Sequence, residues 1–125
     1  MITIKKILIV DDSTSARFFI KGCIPKDKGY EFFEASDGAK GVEAYKNFRP
    51  DVTFMDLTMP VMTGFEAIEV IKAFDPQAAI IVLTADIQTK TIERVTALGI
   101  TTVLKKPPVK ATVEEALLKI QGIGG

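Results

Sequence analysis

Along the chain, short apolar runs rich in β-branched residues alternate with stretches whose apolar residues recur every three or four positions. Ile7-Leu8-Ile9-Val10 stops at Asp11-Asp12, and Ser13, Thr14 and Ser15 then offer caps for a helix with Ala16, Phe19, Ile20, Cys23 and Ile24 on one stripe, closed by Pro25. Tyr30–Ala35 reads as a second strand. Gly38 then introduces a helix with Val42, Ala44, Tyr45 and Phe48, ended by Arg49-Pro50. Val52-Thr53-Phe54-Met55-Asp56 is a buried strand ending on a carboxylate, followed by a loop through Pro60 and Gly64 and a helix carrying Phe65, Ala67, Ile68, Val70 and Ile71. Ala79–Leu83 is a fourth strand, with Thr84-Ala85-Asp86 and a polar helix with Ile92, Val95 and Leu98 after it, stopped at Gly99. Thr101–Leu104 is a short fifth strand. Lys105-Lys106-Pro107-Pro108 follows, and a last helix with Val113, Ala116, Leu117 and Ile120 frays into Gly122-Ile123-Gly124-Gly125.

Five strand-helix cycles in 125 residues leave about 25 residues for each, the length of a strand, a crossover helix and two short loops. Successive parallel strands joined by right-handed crossovers predict an α/β fold, a three-layer, doubly wound, five-stranded parallel sheet. One domain over residues 1–125, with no output domain, is expected.

Parallel strands deliver their carboxyl ends to one edge, which on this reading receives Asp11 and Asp12, Asp56, Thr84 and a lysine, Lys105 or Lys106. With strand order 2-1-3-4-5 the first and third strands are neighbours at the topological switch point, and the three carboxylates crowd together. Like charges at that range must raise their pKa values or recruit a cation. Oxygen-only ligands in an open, wet site suit Mg²⁺. A carboxylate beside Mg²⁺, a hydroxyl and an ammonium can act as nucleophile toward a phosphoryl group. Taken singly, each residue has a plainer reading: Asp56 capping the turn from Leu57 to Thr63, Asp11-Asp12 capping a helix, Thr84 as a turn hydroxyl, the lysine as a solvated charge. All of them in order, each directly after an apolar strand, is a much rarer coincidence.

Composition narrows the chemistry further. Sixteen acidic residues cancel sixteen basic ones, which argues against nucleic acid as a partner. No apolar run is long enough to span a bilayer and no signal peptide is evident, so no membrane partner and a cytoplasmic location are expected. The lone Cys23 fits a small core residue in a reducing compartment. Histidine is absent, which excludes Ser-His catalysis, His-ligated metals and phosphorylation by relay from an internal histidine.

Ile-Leu-Ile-Val-Asp11-Asp12, Asp56-Leu-Thr-Met-Pro60 with Gly64, Val-Leu-Thr84-Ala85 and Lys106-Pro107 together resemble the receiver domain of two-component response regulators, especially the stand-alone chemotaxis type, over Ile7 to Ile120. The resemblance implies the flavodoxin-like receiver fold, with Asp56 as phosphoacceptor. Asp12 is then a direct Mg²⁺ ligand, Asp11 acts mainly through water, and the backbone carbonyl of Thr58 completes the protein's share of the shell. Lys106, chosen over Lys105 because it precedes Pro107, pairs with the phosphoryl oxygens, Thr84 swings in to bond one of them, and the Lys106-Pro107 bond is cis. Thr58 and Asp86, two residues beyond Asp56 and Thr84, are expected to flank the path of hydrolytic water.

On this resemblance the partners are a histidine kinase or histidine phosphotransfer protein as donor and a downstream protein of unknown identity. Phe18, opposite the buried stripe, is a candidate docking residue for the donor. The chain is not expected to be an enzyme beyond its own phosphorylation and dephosphorylation. A monomer is expected, with dimerisation on phosphorylation left open. Two positions depart from the family pattern: Val103 stands where many receivers carry an aromatic switch residue, and Pro108 where another aromatic is frequent. Thr84 and the loop to Asp86 are therefore expected to carry more of the change, biasing the helix from about Thr89 to Leu98. Other readings are a phosphate sink for a kinase, a small-molecule aspartyl-phosphate phosphatase or phosphotransferase, which would need a lid the chain is too short to supply, and a cofactor-binding flavodoxin-class domain, for which Asp11-Asp12 puts the wrong charge after the first strand.

Overall fold

The computed structural model describes residues 3–100 and 102–122. Strands β1 (Lys6–Val10), β2 (Glu31–Ala35), β3 (Val52–Asp56), β4 (Ile80–Thr84) and β5 (Thr102–Lys105) alternate with helices α1 (Thr14–Cys23), α2 (Gly38–Phe48), α3 (Gly64–Phe74), α4 (Thr89–Ala97) and α5 (Lys110–Gln121). All strand pairs are parallel, in the order β2-β1-β3-β4-β5. The expected five-stranded, doubly wound sheet is therefore the one observed.

The period-two alternation along the central strands explains the three layers. Leu8, Val10, Met55 and Val82 face α2, α3 and α4, joining Tyr45, Ile68, Ile71 and Val95. Ile7, Ile9, Phe54, Ile81 and Leu83 face the other way, joining Ile20, Val113 and Leu117 of α1 and α5. Every residue of β3 and β4 is buried. Each large aliphatic side chain so covered contributes about 1.5–3 kcal/mol, which is why the central strands tolerate unbroken apolar runs.

Local signals set the boundaries. Ser13 Oγ accepts from the Ala16 amide at 3.1 Å and opens α1, so Ser13 and not the Asp11-Asp12 pair supplies the helix cap. Thr63 and Glu66 form a reciprocal capping box at the start of α3. Arg49 ends α2 at φ 50°, immediately before Pro50, where the α region is disfavoured for the preceding residue.

Several expectations shift. Tyr30 and Ala79 lie just before β2 and β4, and β4 and β5 run on to Thr84 and Lys105. The start of the fifth strand at Thr101 and the end of the chain at Ile123–Gly125 lie outside the described residues. Phe19 and Phe48 were expected on buried stripes but are 51% and 41% exposed. Phe48 leaves the core to stack on Phe33 at 4.2 Å. Phe19 sits at the margin of its stripe, where α1 meets the loop containing Pro107 and Pro108 rather than the sheet.

One core atom is out of keeping with its surroundings. Thr53 is the second residue of β3, is fully buried, and among the described residues its Oγ1 has no hydrogen-bond partner. An unpaired buried hydroxyl is destabilising relative to an apolar isostere. Thr53→Val is expected to stabilise the fold by about 1 kcal/mol. Urea unfolding should give a higher midpoint with an unchanged slope, and an unchanged or lower midpoint would contradict this account.

Candidate functional site

Ladder hydrogen bonds extend past the strands and aim the residues beyond them. Asp11 lies one position after β1, with its amide donating to the Ala35 carbonyl at 3.1 Å, so it is still held by the sheet. Lys106 lies one position after β5, with its amide on the Thr84 carbonyl at 2.9 Å. Asp56 and Thr84 are the last residues of β3 and β4. The loop after Asp56 is folded tightly back: the Gly64 amide donates to the Leu57 carbonyl at 3.0 Å, and a Cβ at Gly64 would collide with the Asp56 carbonyl oxygen. Gly38, at the start of α2, is under the same constraint against the Met62 carbonyl. Only glycine lets these two helix starts approach the loop so closely.

The polar side chains meet at this rim. Lys106 Nζ lies 2.6 Å from Asp11 Oδ2 and 3.1 Å from Asp56 Oδ1. Asp11, Asp12 and Asp56 each place a carboxylate oxygen within 4.8 Å of the others. Asp11 and Asp56 are 1% and 7% exposed, whereas Asp12 is open to solvent. Asp11 Oδ1 also accepts from the Ser13 amide at 2.9 Å. Lys106 enters the cluster and Lys105 points to solvent. The Lys106-Pro107 bond is cis.

Among the described residues, the Thr84 hydroxyl makes no hydrogen bond to the carboxylates or to the Lys106 ammonium. Its buried Oγ1 accepts from the Asp86 amide at 3.0 Å. Asp86 in turn accepts from the Gln88 amide at 3.0 Å and the Thr91 hydroxyl at 2.7 Å. Those bonds, Thr91 first, hold its carboxyl below the ordinary range. They also turn Asp86 toward α4.

Burial pushes the Asp56 pKa up, and repulsion from Asp11 adds to it, together outweighing Lys106 and the Thr58 amide. Burial works against the Lys106 ammonium, but the Asp11 hydrogen bond and the Asp56 charge outweigh it and raise its pKa. Fully ionised, three carboxylates against one ammonium leave two negative charges unbalanced. An all-oxygen donor set with that excess matches a hard divalent cation.

Sequence reasoning did not single out Arg17. Its guanidinium reaches the Asp11 carbonyl at 2.7 Å and Glu34 of β2 at 2.9 Å. Nothing in the spacing signals this, because Glu34 lies on another strand. Val61 was missed as well. It centres a turn in which the Met62 amide bonds the Pro60 carbonyl at 2.8 Å, and a β-branched residue at φ 69° is strained there.

Residues 7–118 match the family described as response regulator receiver domain. The chain belongs to this family. Like this receiver, the chemotaxis protein CheY of Thermotoga maritima is a small protein; the two are 41% identical over 117 residues, covering 93% of this chain and 97% of that one. Among solved structures, Vibrio cholerae CheY4 superposes with a TM-score of 0.85 at 32% identity, covering 94% of the receiver and 99% of that chain. The Borrelia burgdorferi CheY, in a complex described as CheX-CheY-BeF3-Mg, superposes with a TM-score of 0.87 at 28% identity, covering 94% and 89%. Among the described residues, no helix is long and apolar enough to cross a membrane.

The raised pKa of Asp56 has a definite consequence for stability. The folded chain takes up this proton at higher pH than the unfolded chain does, so stability is lost as pH rises from the unfolded carboxylate range through the folded value, and stays lowered at neutral pH. In metal-free buffer, Asp56→Asn is expected to be more stable than wild type at pH 7 by about 1 kcal/mol. The difference should narrow as the pH falls through the carboxylate range. Urea titrations at pH 7 and pH 4 check this, and an advantage independent of pH would contradict it.

Proposed function

We propose that this receiver is a Mg²⁺-dependent switch in which Asp56 accepts a phosphoryl group from a phosphohistidine on a partner protein. The observation that carries the reading is the Asp56 carboxylate at the strand rim, 3.1 Å from the Lys106 ammonium and grouped with Asp11 and Asp12. Asp11, Asp12, Asp56 and the Thr58 backbone carbonyl would hold Mg²⁺, which when bound offsets charge on the phosphoryl oxygens. One Asp56 carboxylate oxygen forms the new P–O bond as the P–N bond to the donor imidazole breaks, and the electron pair leaves on that nitrogen. Lys106 supplies a second fixed positive charge for the same oxygens. The chain contains no histidine, so the donor is a histidine kinase or histidine phosphotransfer protein. The only chemistry is then performed by the receiver on itself. The Borrelia relative's complex with BeF3 and Mg supports this reading by likeness.

Phe18 is the donor's anchor in this reading. It is 76% exposed on α1, a helix that borders two grooves. One is lined by Phe18, Lys21, Gly22, Lys26 and Phe32, the other by Ala16, Phe19, Ile20, Lys106, Pro107 and Pro108. The second groove includes Lys106, so a helix seated there reaches the acceptor.

Output runs through α4. Drawing the Thr84 hydroxyl toward a phosphoryl oxygen gives up its bond with the Asp86 amide, and the Asp86 carboxylate is what ties down the first turn of α4. Gln88, at the N-cap position, makes no side-chain cap of its own. Val95 is the one buried residue of α4, and Arg94 lies 3.7 Å over the Phe65 ring. A helix so lightly packed changes position at low energetic cost, and a downstream cytoplasmic protein then reads the altered face.

Incubation with Mg²⁺ and acetyl phosphate is expected to add one phosphoryl group to the wild type by intact mass and none to Asp56→Asn. Phe18→Ala should react with acetyl phosphate as wild type does but receive phosphate from a phosphohistidine protein about tenfold more slowly, the scale of a lost aromatic anchor. Equal mass gain by Asp56→Asn would overturn the acceptor assignment. Hydrogen exchange is expected to change over residues 86–98 when BeF3 and Mg²⁺ are added, and unchanged exchange in that segment would remove α4 as the output element.

A further inference from the structure

We infer that Arg17 is a positioning residue for the divalent cation, acting through the peptide group that joins Asp11 to Asp12. This rests on the Mg²⁺ reading above. Asp11 is fixed at both ends of its side chain, by the Ser13 amide and by Lys106, and its own amide is pinned to β2. Asp12 has no such restraint. Its carboxylate is exposed and, among the described residues, makes no side-chain hydrogen bond, so its aim depends on the backbone plane that precedes it.

The carbonyl of that plane is the Asp11 oxygen, and Arg17 grips it at 2.7 Å through one terminal guanidinium nitrogen. The other two nitrogens are anchored elsewhere: Nε on Glu34 Oε1 at 2.9 Å, and the second terminal nitrogen on Thr14 Oγ1 at 3.3 Å. Glu34 is itself held by Lys21 at 3.0 Å and lies opposite Ile9 in the sheet. Lys21 and then Arg17 hold its carboxyl below the usual range, so it remains ionised and able to anchor. The Arg17 side chain is 14% exposed. A planar fork with its donors in fixed directions thus ties the Asp11-Asp12 peptide to a neighbouring strand and to the first turn of α1. A flexible ammonium could not make the three contacts together.

The sign of the effect separates this role from two simpler ones. Arg17 is a cation close to a cation site, so if it acted through charge alone, neutralising it would tighten divalent binding. If it served only to stabilise the fold, the folded variant would bind as wild type does. Positioning predicts weaker binding, and groups that orient metal ligands are worth about 10–100-fold in affinity.

The test is titration of the whole chain with Mn²⁺, followed by calorimetry and by the loss of free-ion paramagnetic resonance signal. Circular dichroism melts ensure that each variant is folded at the assay temperature. Arg17→Gln is expected to weaken Mn²⁺ binding about tenfold. Arg17→Lys keeps the charge and the stem and should shift in the same direction, which keeps the test open if Arg17→Gln does not fold. Lys105→Ala removes an exposed cation next to Lys106 that, among the described residues, makes no side-chain hydrogen bond or ion pair, and its affinity should stay within about twofold of wild type, inside the spread of a screened surface charge. Binding by a folded Arg17 variant that equals or exceeds wild type would overturn the inference while leaving the Mg²⁺ reading intact, as would an equal loss in Lys105→Ala. A wild type that binds no Mn²⁺ would remove the inference together with the Mg²⁺ reading on which it rests.

Discussion

The Lys106 ammonium bridges two carboxylates that the sheet itself forces together. β1 and β3 are adjacent parallel strands, separated by the fixed spacing of about 4.8 Å that backbone hydrogen bonding imposes. No choice of side chain can widen it. An acid at the end of one strand and another just past the end of its neighbour must therefore face each other. The repulsion between them, together with burial, lifts the Asp56 pKa. Lys106, one position past β5, relieves part of it, crossing over β4 to reach 2.6 Å from Asp11 and 3.1 Å from Asp56. The negative charge that remains uncompensated makes the rim receptive to a hard divalent cation.

Around this constrained centre the loops are not equivalent. The segment from Leu57 to Gly64 is clamped. Its ends are fixed by close approach at Gly38 and Gly64 and by the capping box of Thr63 and Glu66, and it carries backbone strain at Val61. Strain of this kind persists only where the surroundings over-determine the conformation. The loop after β4 is of another sort: Thr84, Asp86 and Thr91 are linked by single hydrogen bonds to a helix with one buried residue. In the proposed switch, rigid geometry near Asp56 and loose attachment at α4 set a fixed chemical site beside a movable reporter.

Helix α1 faces two ways. Ile20 and Cys23 hold the helix to the sheet, and Phe18 projects from the opposite side. Arg17, the residue before Phe18, turns back toward the Asp11-Asp12 peptide and Glu34. One short helix thereby exposes an aromatic side chain while bracing the backbone of the acidic loop.

Much of this was legible from the residues alone, because local periodicity and strand-end chemistry are properties of neighbouring positions. Apolar runs stopping at Asp11, Asp56 and Thr84 announced parallel strands and their shared edge, and β-branched runs without alternation announced burial on both faces. Contacts between distant parts of the chain were not legible. Lys105 and Lys106 are adjacent and alike in sequence; the ladder bond from Lys106 to Thr84 and the reach to Asp11 distinguish them. Phe19 and Phe48 carry the helical period of core residues, yet which aromatic is covered depends on what packs beside the margin of each helix. Arg17 met Glu34 because α1 lies across β1 and β2. A side chain's neighbours along the chain are written in the sequence; its neighbours across a sheet exist only once the strands have paired.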